Sequence, residues 1–243
     1  MKEFLLKIMQ KVWETECIPT EWEENIIISL HKKGDTTNCE NYSATCLSSV
    51  VSKLYTRIRE KRLRIEIETR MEEEQAAFRP NRQTQDHIFS IRCYAEKALD
   101  KNKSVYLALL DLTSAFDIVP KQEIWKALEE MRVTDKLRRA IQSVYKTVKG
   151  RVRICGDTSD IFYMSKGLKQ GDSLSPLLFN ILMNEILRNS KILQPKTKIG
   201  HYNLAPVYLQ CLVYADDIMI ITDSEHKLQE AINVWNSELK RKE

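Results

Sequence analysis

Glycine and proline are scarce in this 243-residue chain, at six each. That scarcity excludes a collagen-like or low-complexity protein, and it leaves no Gly/Ser linker to mark a domain boundary. Long apolar runs are missing as well, so no segment can span a bilayer as a helix. The first residues, Met1-Lys2-Glu3-Phe4-Leu5-Leu6, place charge early and lack an apolar stretch of signal length. The cysteines at 17, 39, 46, 93, 155 and 211 include no Cys-x-x-Cys pair. A zinc ribbon and a disulfide framework are therefore not indicated, and the thiols read as reduced and intracellular. No Gly-x-x-x-x-Gly-Lys phosphate loop occurs, and there are no internal repeats. A net charge of +4 is too mild to point to nucleic acid by itself.

What is present is the composition of a globular protein, 43% hydrophobic and 30% charged, with length for one large or two small domains. The basic residues are unevenly spread. From Lys136 to Gly156 there is no acidic residue, but there are Lys136, Arg138, Arg139, Lys146, Lys149, Arg151 and Arg153. A second run holds Lys53, Arg57, Arg59, Lys61, Arg62 and Arg64 against Glu60 alone. Such runs are ordinarily solvated helix faces; beside a metal site they become candidate phosphate-tracking surfaces.

Periodicity predicts helices over the N-terminal stretch up to Pro19, over 48–70 with a basic outer face, over 84–99, 121–131 and 176–187, and near the C-terminus through Leu228, Ala231, Ile232, Trp235 and Leu239. Leu137, Ile141, Val144 and Val148 form a further helical stripe. Strands are predicted at 26–30, 105–112 and 207–213, at 218–222, and as a hairpin joining 151–155 to 161–164. Hairpin links between neighbouring strands argue for α+β rather than a doubly wound sheet.

Chemistry concentrates at strand ends. Tyr214-Ala215-Asp216-Asp217 lies between two apolar β-branched runs and reads as a hairpin tip. Adjacent carboxylates repel each other, and a divalent cation relieves the repulsion. Asp111 also closes an apolar strand, Val105-Tyr106-Leu107-Ala108-Leu109-Leu110. Two strand-borne carboxylate sites on neighbouring strands can hold a pair of Mg²⁺ ions for phosphoryl or nucleotidyl transfer. Taken singly, each has a plainer reading: Asp-Asp as a solvated turn, and Asp111 as a cap for the segment that follows.

Three segments in order carry more weight: Leu110-Asp111-Leu112-Thr113-Ser114-Ala115-Phe116-Asp117, then Gly167-Leu168-Lys169-Gln170-Gly171-Asp172-Ser173-Leu174-Ser175-Pro176-Leu177-Leu178-Phe179, then Tyr214-Ala215-Asp216-Asp217. Upstream stand Leu30-His31-Lys32-Lys33-Gly34-Asp35, Asn41-Tyr42 and Gln75-Ala76-Ala77-Phe78-Arg79-Pro80. This ordered set resembles the reverse transcriptase domain of non-LTR (LINE-type) retrotransposons, over essentially the whole chain. The resemblance implies a right-hand polymerase: fingers over about 1–85 and 121–165, and a palm with an RRM-like antiparallel sheet over about 86–120 and 166–243; the family's helical thumb is not read in this sequence.

The implied activity is RNA-directed DNA synthesis, with an RNA template, a DNA primer, dNTPs and two Mg²⁺ ions, or Mn²⁺ in their place. The resemblance makes Asp111, Asp216 and Asp217 catalytic and metal-binding, with the Leu112 carbonyl as a further ligand. Asp117 is read as structural. The nucleotide would be met by Lys32, Lys33, Phe116, Gln170 and Gly171, with Phe116 as a steric gate against a 2′-hydroxyl and Gly171 allowing close backbone approach. Tyr214, Arg151 and Arg153 are assigned to primer and template. Plainer readings stand beside these: a core aromatic for Phe116, a turn for Gln170-Gly171, a solvated loop for the lysines and a strand aromatic for Tyr214.

Departures from the family's wording accompany the match. Ser43-Ala44-Thr45 stands where Arg-Pro-Ile is usual, and a serine cannot replace a charged fork. Ala77 stands for the usual glycine, and Ser114 for a frequent basic residue. No endonuclease, RNase H or zinc-knuckle segment is read. The other open reading is therefore a catalytically inactive nucleic-acid-binding remnant. No membrane partner and no targeting signal is read, and location is expected to be nuclear, cytoplasmic or both.

Overall fold

The computed structural model describes residues 2–154, 156–195, 198–199 and 207–242, and these fall into two compact units. The first takes residues 1–69 and 116–178, the second 70–115 and 179–243. The first arm of the hairpin predicted to join 151–155 to 161–164, at Cys155, and part of the run predicted from Val207 touch positions outside the described residues or side chains. Among the described residues, no helix is long and apolar enough to cross a membrane.

In the first unit, α1 (Lys2–Thr15) leads through a 3₁₀ turn to β1 (Glu24–His31), which pairs antiparallel with β2 (Tyr42–Leu47). Helix α2 (Val50–Ile67) follows. After the second unit's first segment, which contains α3 (Thr84–Asp100) and β3 (Tyr106–Asp111), the chain returns with α4 (Ala115–Ile118), α5 (Lys121–Glu130) and α6 (Asp135–Lys146). Strand β4 (Lys149–Ile154) pairs parallel to β1, and antiparallel to β5 (Asp157–Thr158) and β6 (Phe162–Tyr163). The parallel pair was not legible as a hairpin pattern, because β1 and β4 are far apart in sequence. Buried Asn25 pins it: its amide donates to the carbonyls of Glu23 (2.9 Å) and Lys149 (3.1 Å), and its oxygen accepts from Ser48 (2.8 Å).

The basic face expected on α2 is interrupted. Arg59 is only 4% exposed, with its guanidinium 4.1 Å from the centre of the Trp13 ring and 4.5 Å from that of Tyr55. Cation–π contact with the two rings, not solvent, holds it there.

Helix α7 (Ser175–Leu193) follows, its first four residues in the first unit and the rest in the second; residues 177–187 are all buried, the polar Asn180, Asn184 and Glu185 included. Pro176 occupies its first turn as expected. Strands β7 (Lys198–Ile199) and β8 (Val207–Tyr208) pair with each other. Then come β9 (Cys211–Tyr214), β10 (Asp217–Thr222) and α8 (Glu225–Lys240), which is capped by the Ser224 hydroxyl. The single strand predicted over 207–213 is broken at Leu209-Gln210. The Gln210 amide turns inward to the carbonyls of Lys191 (3.1 Å) and Gln194 (3.3 Å), which costs the backbone its extended run.

The antiparallel sheet β3-β10-β9 is central to this unit. Helix α8 packs against β10 and β3, burying Trp235, whose indole N–H donates to the Gln194 side chain at 3.1 Å. Elsewhere Tyr94 and Ile91 of α3 pack with Leu212, Met219 and Ile221.

The segment before α3 is anchored to α7. Glu72 accepts from Lys191 (2.7 Å) and Arg188 (3.3 Å), while its backbone N–H donates to Asn184 (2.7 Å). Burial pushes the Glu72 carboxyl up, but Lys191 and Arg188 outweigh it and hold the group below the ordinary glutamate value. A carboxylate with a lowered folded pKa stabilises the fold above its unfolded pKa, and that stabilisation is lost as pH falls through the folded value. Glu72→Gln is therefore expected to melt lower than the wild type at pH 7, with the gap closing below about pH 4. Melting curves at pH 7 and pH 3.5 check this; a constant gap would contradict it.

Candidate active site

The register of β3 and β10 sets Asp111 directly opposite Asp217. Cross-strand partners share a face, so both carboxylates leave the sheet on the same side, along with Leu109 and Met219 two pairs further on. Tyr214 pairs with Asp217 on the other flank, closing a two-residue hairpin loop of Ala215 and Asp216. Ala215 takes φ +58°, a left-handed value suited to a hairpin's first loop position but strained for a residue with a Cβ.

Burial pushes the Asp217 carboxyl up, and the charges of Asp216 and Asp111 push it further. The Asp217 carboxyl thus feels both neighbouring charges. Carboxylates are hard oxygen donors of the kind Mg²⁺ prefers. Among the described residues, no three His, Cys, Asp or Glu side chains are gathered tightly enough to hold a metal ion as they stand. Asp111 and Asp217 are exposed.

Asp111 and Asp217 line a pocket of about 310 Å³ with Tyr214, Leu109, Met219 and the α3 residues Thr84, His87, Ile88 and Ile91. His87 sits edge-on to Tyr214, with ring centroids 6.4 Å apart, and burial holds its pKa below the ordinary histidine value. The sequence offered no signal for His87, because a single histidine in an amphipathic helix has no partner until the helix is placed on the sheet.

Gln75 belongs to the ordered family segments, and the fold gives it a further task. It is fully buried, and its side-chain carbonyl accepts from the backbone N–H of Ala77 (3.1 Å) and of Ala215 (3.2 Å). The same segment runs beside β9: Ala76 N–H donates to Val213 and Val213 N–H to Glu74. Asn180 of α7 donates to the Ala77 carbonyl at 2.6 Å. Gln75 therefore clamps the strained first residue of the carboxylate hairpin.

The remaining predicted site residues lie in the first unit, apart from Leu112, which follows β3 directly. Lys32 and Lys33 are exposed in the loop after β1, which is tied by the Asn41 amide to the Asp35 carbonyl and by the Tyr42 hydroxyl to that of Thr36. Phe116 is half-buried on α4. Gln170 donates to the Asp117 carboxylate at 2.8 Å, giving Asp117 a bracing partner. Gly171 (φ +103°) lies against the Cys46 carbonyl, 3.0 Å from where a Cβ would stand, and Cys46 N–H donates to Gln170. Arg151 and Arg153 lie on β4, half-buried and exposed respectively.

Gly167 begins that loop at φ +80°, and an added Cβ would stand 2.5 Å from the Asp117 carbonyl oxygen. Gly167 and Leu168 donate to the carbonyls of Val119 and Phe116, strapping the loop to α4. Gly167→Ala is expected to cost about 2–4 kcal/mol, from the left-handed φ and the overlap together. A urea midpoint unchanged from the wild type would contradict this.

Comparison with known proteins agrees with the ordered segments. A family model described as reverse transcriptase (RNA-dependent DNA polymerase) matches residues 30–243. The chain belongs to the reverse transcriptase family. Among relatives, the chain is 32% identical over 142 residues to the Retrovirus-related Pol polyprotein of the type-1 retrotransposable element R2 of Nasonia vitripennis, covering 57% of the chain and 13% of the relative. It is 26% identical to the R2 polyprotein of Popillia japonica, covering 86% of the chain and 29% of the relative. The RNA-directed DNA polymerase from mobile element jockey of Drosophila funebris is 23% identical over 91% of the chain and 23% of its own length. These matches place the domain among non-LTR retrotransposon polymerases. The chain spans less than a third of the length of each of these relatives.

In fold, the chain is similar to apo telomerase from Candida tropicalis, with a TM-score of 0.67 at 14% identity, over 96% of this chain and 52% of the other. Telomerase from Candida albicans, in complex with a fragment of telomeric RNA, gives 0.65 at 13% identity over 99% and 44%. The α+β class expected from the sequence agrees with this fold.

Proposed function

We propose that this chain carries out RNA-templated DNA synthesis by two-metal nucleotidyl transfer. The observation that carries the proposal is the β3–β10 register, which sets Asp111 opposite Asp217, with Asp216 beside it close enough to raise the Asp217 pKa. Asp111, Asp216 and Asp217 would hold Mg²⁺ or Mn²⁺ with the Leu112 carbonyl. Two such ions, when bound, supply charge neutralisation to the triphosphate and a more acidic primer 3′-hydroxyl.

In this reading the palm is built on the β3-β10-β9 sheet and the fingers on the β1–β2–β4 region. Lys32 and Lys33 pair with triphosphate oxygens as point charges, and they replace only in part the fork that Ser43 lacks. Gln170 and Gly171 border the nucleotide. Tyr214 packs at the primer terminus, and Arg151 and Arg153 track the template. Phe116 lies under the sugar and excludes a 2′-hydroxyl by its bulk. Phe116→Val is expected to raise incorporation of rNTP relative to dNTP about tenfold or more, the scale of a single lost steric discrimination. An unchanged ratio would remove the gate assignment.

The proposal is tested by extension of a DNA primer on an RNA template with dNTPs and Mg²⁺ or Mn²⁺. Asp216→Ala/Asp217→Ala serves as the control. Extension that disappears in the double variant supports catalysis; no extension from the unaltered chain, with RNA binding retained, leaves the binding remnant as the function.

A further inference from the structure

The first unit contains a second pocket, of about 560 Å³, that the polymerase reading does not use. Its walls are the start of α5 (Pro120, Lys121, Trp125), the α6–β4 junction around Lys146, and β6 with the residues after it (Tyr163, Lys166). The volume lies within the range of ligand pockets. No carboxylate lines it, while three lysines and two aromatic rings do.

The charges are uncompensated. In the acid-free stretch, Lys136 and Arg139 pair with Glu16, Arg138 with Asp135 and Lys149 with Glu23. Lys146 and Lys166 have no ion-pair partner among the described residues, and both are exposed. Lys121 is half-buried and its ammonium donates only to carbonyls, those of Met164 (2.6 Å) and Tyr145 (3.2 Å). Behind Tyr145 lies Lys169, 1% exposed, its ammonium 5.4 Å from the Tyr145 ring centre and without a hydrogen-bond partner. Burial and the Lys169 charge both pull the Lys121 pKa down, so the two ammonium groups share one field. Half-buried Lys121 and exposed Lys146 and Lys166 thus line the pocket together with Trp125, half-buried and edge-on to Tyr145, and Tyr163, 71% exposed.

We propose that this pocket binds one unpaired nucleotide of a single-stranded nucleic acid, its base against Trp125 and Tyr163 and its phosphates on Lys146 and Lys166. Lysine point charges beside aromatic rings are the pairing that holds single strands without reading sequence. A strand fits better than a free nucleotide because the uncompensated charge continues along β4 through Arg151 and Arg153, two residues apart. Neither arginine has a carboxylate partner among the described residues; Arg151 reaches only the Ser159 carbonyl, at 3.4 Å. The assignment rests on the polymerase reading only for the class of ligand.

The test is fluorescence anisotropy of a labelled 15-nucleotide RNA with the full chain, over a range of salt, without divalent metal or dNTP. Catalysis is not read, so failure of the polymerase reading cannot produce or hide the result. Lys146→Glu/Lys166→Glu is expected to weaken binding about tenfold or more and to lower the slope of log Kd on log salt by about 1.4, for two lost phosphate contacts. Tyr163→Ser is expected to weaken binding about fivefold or more at unchanged slope, because stacking releases no counterions. Both substitutions are at exposed positions, and unchanged melting temperatures establish that the variants fold. Wild-type affinity and slope in both variants would overturn the proposal, as would equal competition by uridine monophosphate and the RNA.

Discussion

An Asp111→Asn protein is expected to lose primer extension by about a thousandfold while melting no lower than the wild type. The loss follows from the site's chemistry: a carboxylate that holds a metal against the transferring phosphate contributes several kcal/mol, and about 4 kcal/mol corresponds to a thousandfold in rate. Retention of stability follows from the register. Asp111 stands directly across from Asp217, and its charge is one of those that push the Asp217 carboxyl up. Replacing it by a neutral isostere removes repulsion between like charges and breaks no ion pair, since Asp111 has none among the described residues. Single-turnover extension measured alongside thermal melting checks both halves. A variant that loses activity because it melts well below the wild type would show Asp111 to be structural.

Gln75→Leu should damage the same site from outside the carboxylate set. The substitution leaves the N–H groups of Ala77 and Ala215 without their acceptor in a buried place. Each orphaned donor costs about 1–3 kcal/mol, so a loss of about 2–6 kcal/mol is expected from urea denaturation. Extension should fall further than the unfolded fraction explains, at temperatures where the variant is folded, because Ala215 holds φ +58° at the turn that presents Asp216 and Asp217. Ala215→Gly in the Gln75→Leu background removes the left-handed strain and is expected to recover part of the stability. A Gln75→Leu enzyme with the wild-type rate per folded molecule would show that the clamp supports the fold and not the site.

The sequence reveals these residues unequally, for physical reasons. The hairpin at Asp216-Asp217 and the strand ending at Asp111 are legible because alternation and β-branching mark strands, and carboxylates at their ends interrupt an apolar pattern. Helices α3, α7 and α8 are legible from their stripes, although α7 extends to Leu193, beyond the predicted end near Leu187. Gln75 gives no such sign: a buried side-chain carbonyl facing an amide N–H in a distant turn becomes visible only when residues 75 and 215 are brought together. Arg59 misleads in the opposite direction, since its place in a basic run suggests solvent and its position between Trp13 and Tyr55 is set by packing. Charge counts likewise do not separate Lys136 and Arg139, neutralised by Glu16, from Lys146, which is not. Gly171 is legible as a close-approach glycine, but the group lying against it in the fold is the Cys46 carbonyl.

The most direct test of the central claim, that Asp111, Asp216 and Asp217 form a divalent-metal site, is a count of bound Mn²⁺ by electron paramagnetic resonance. The chain would be loaded with a primer–template whose primer ends in a 3′-deoxynucleotide, and with the next dNTP. Two ions per complex are expected for the wild type, with at least one lost in Asp111→Asn. Equal stoichiometry in the two proteins would contradict the claim.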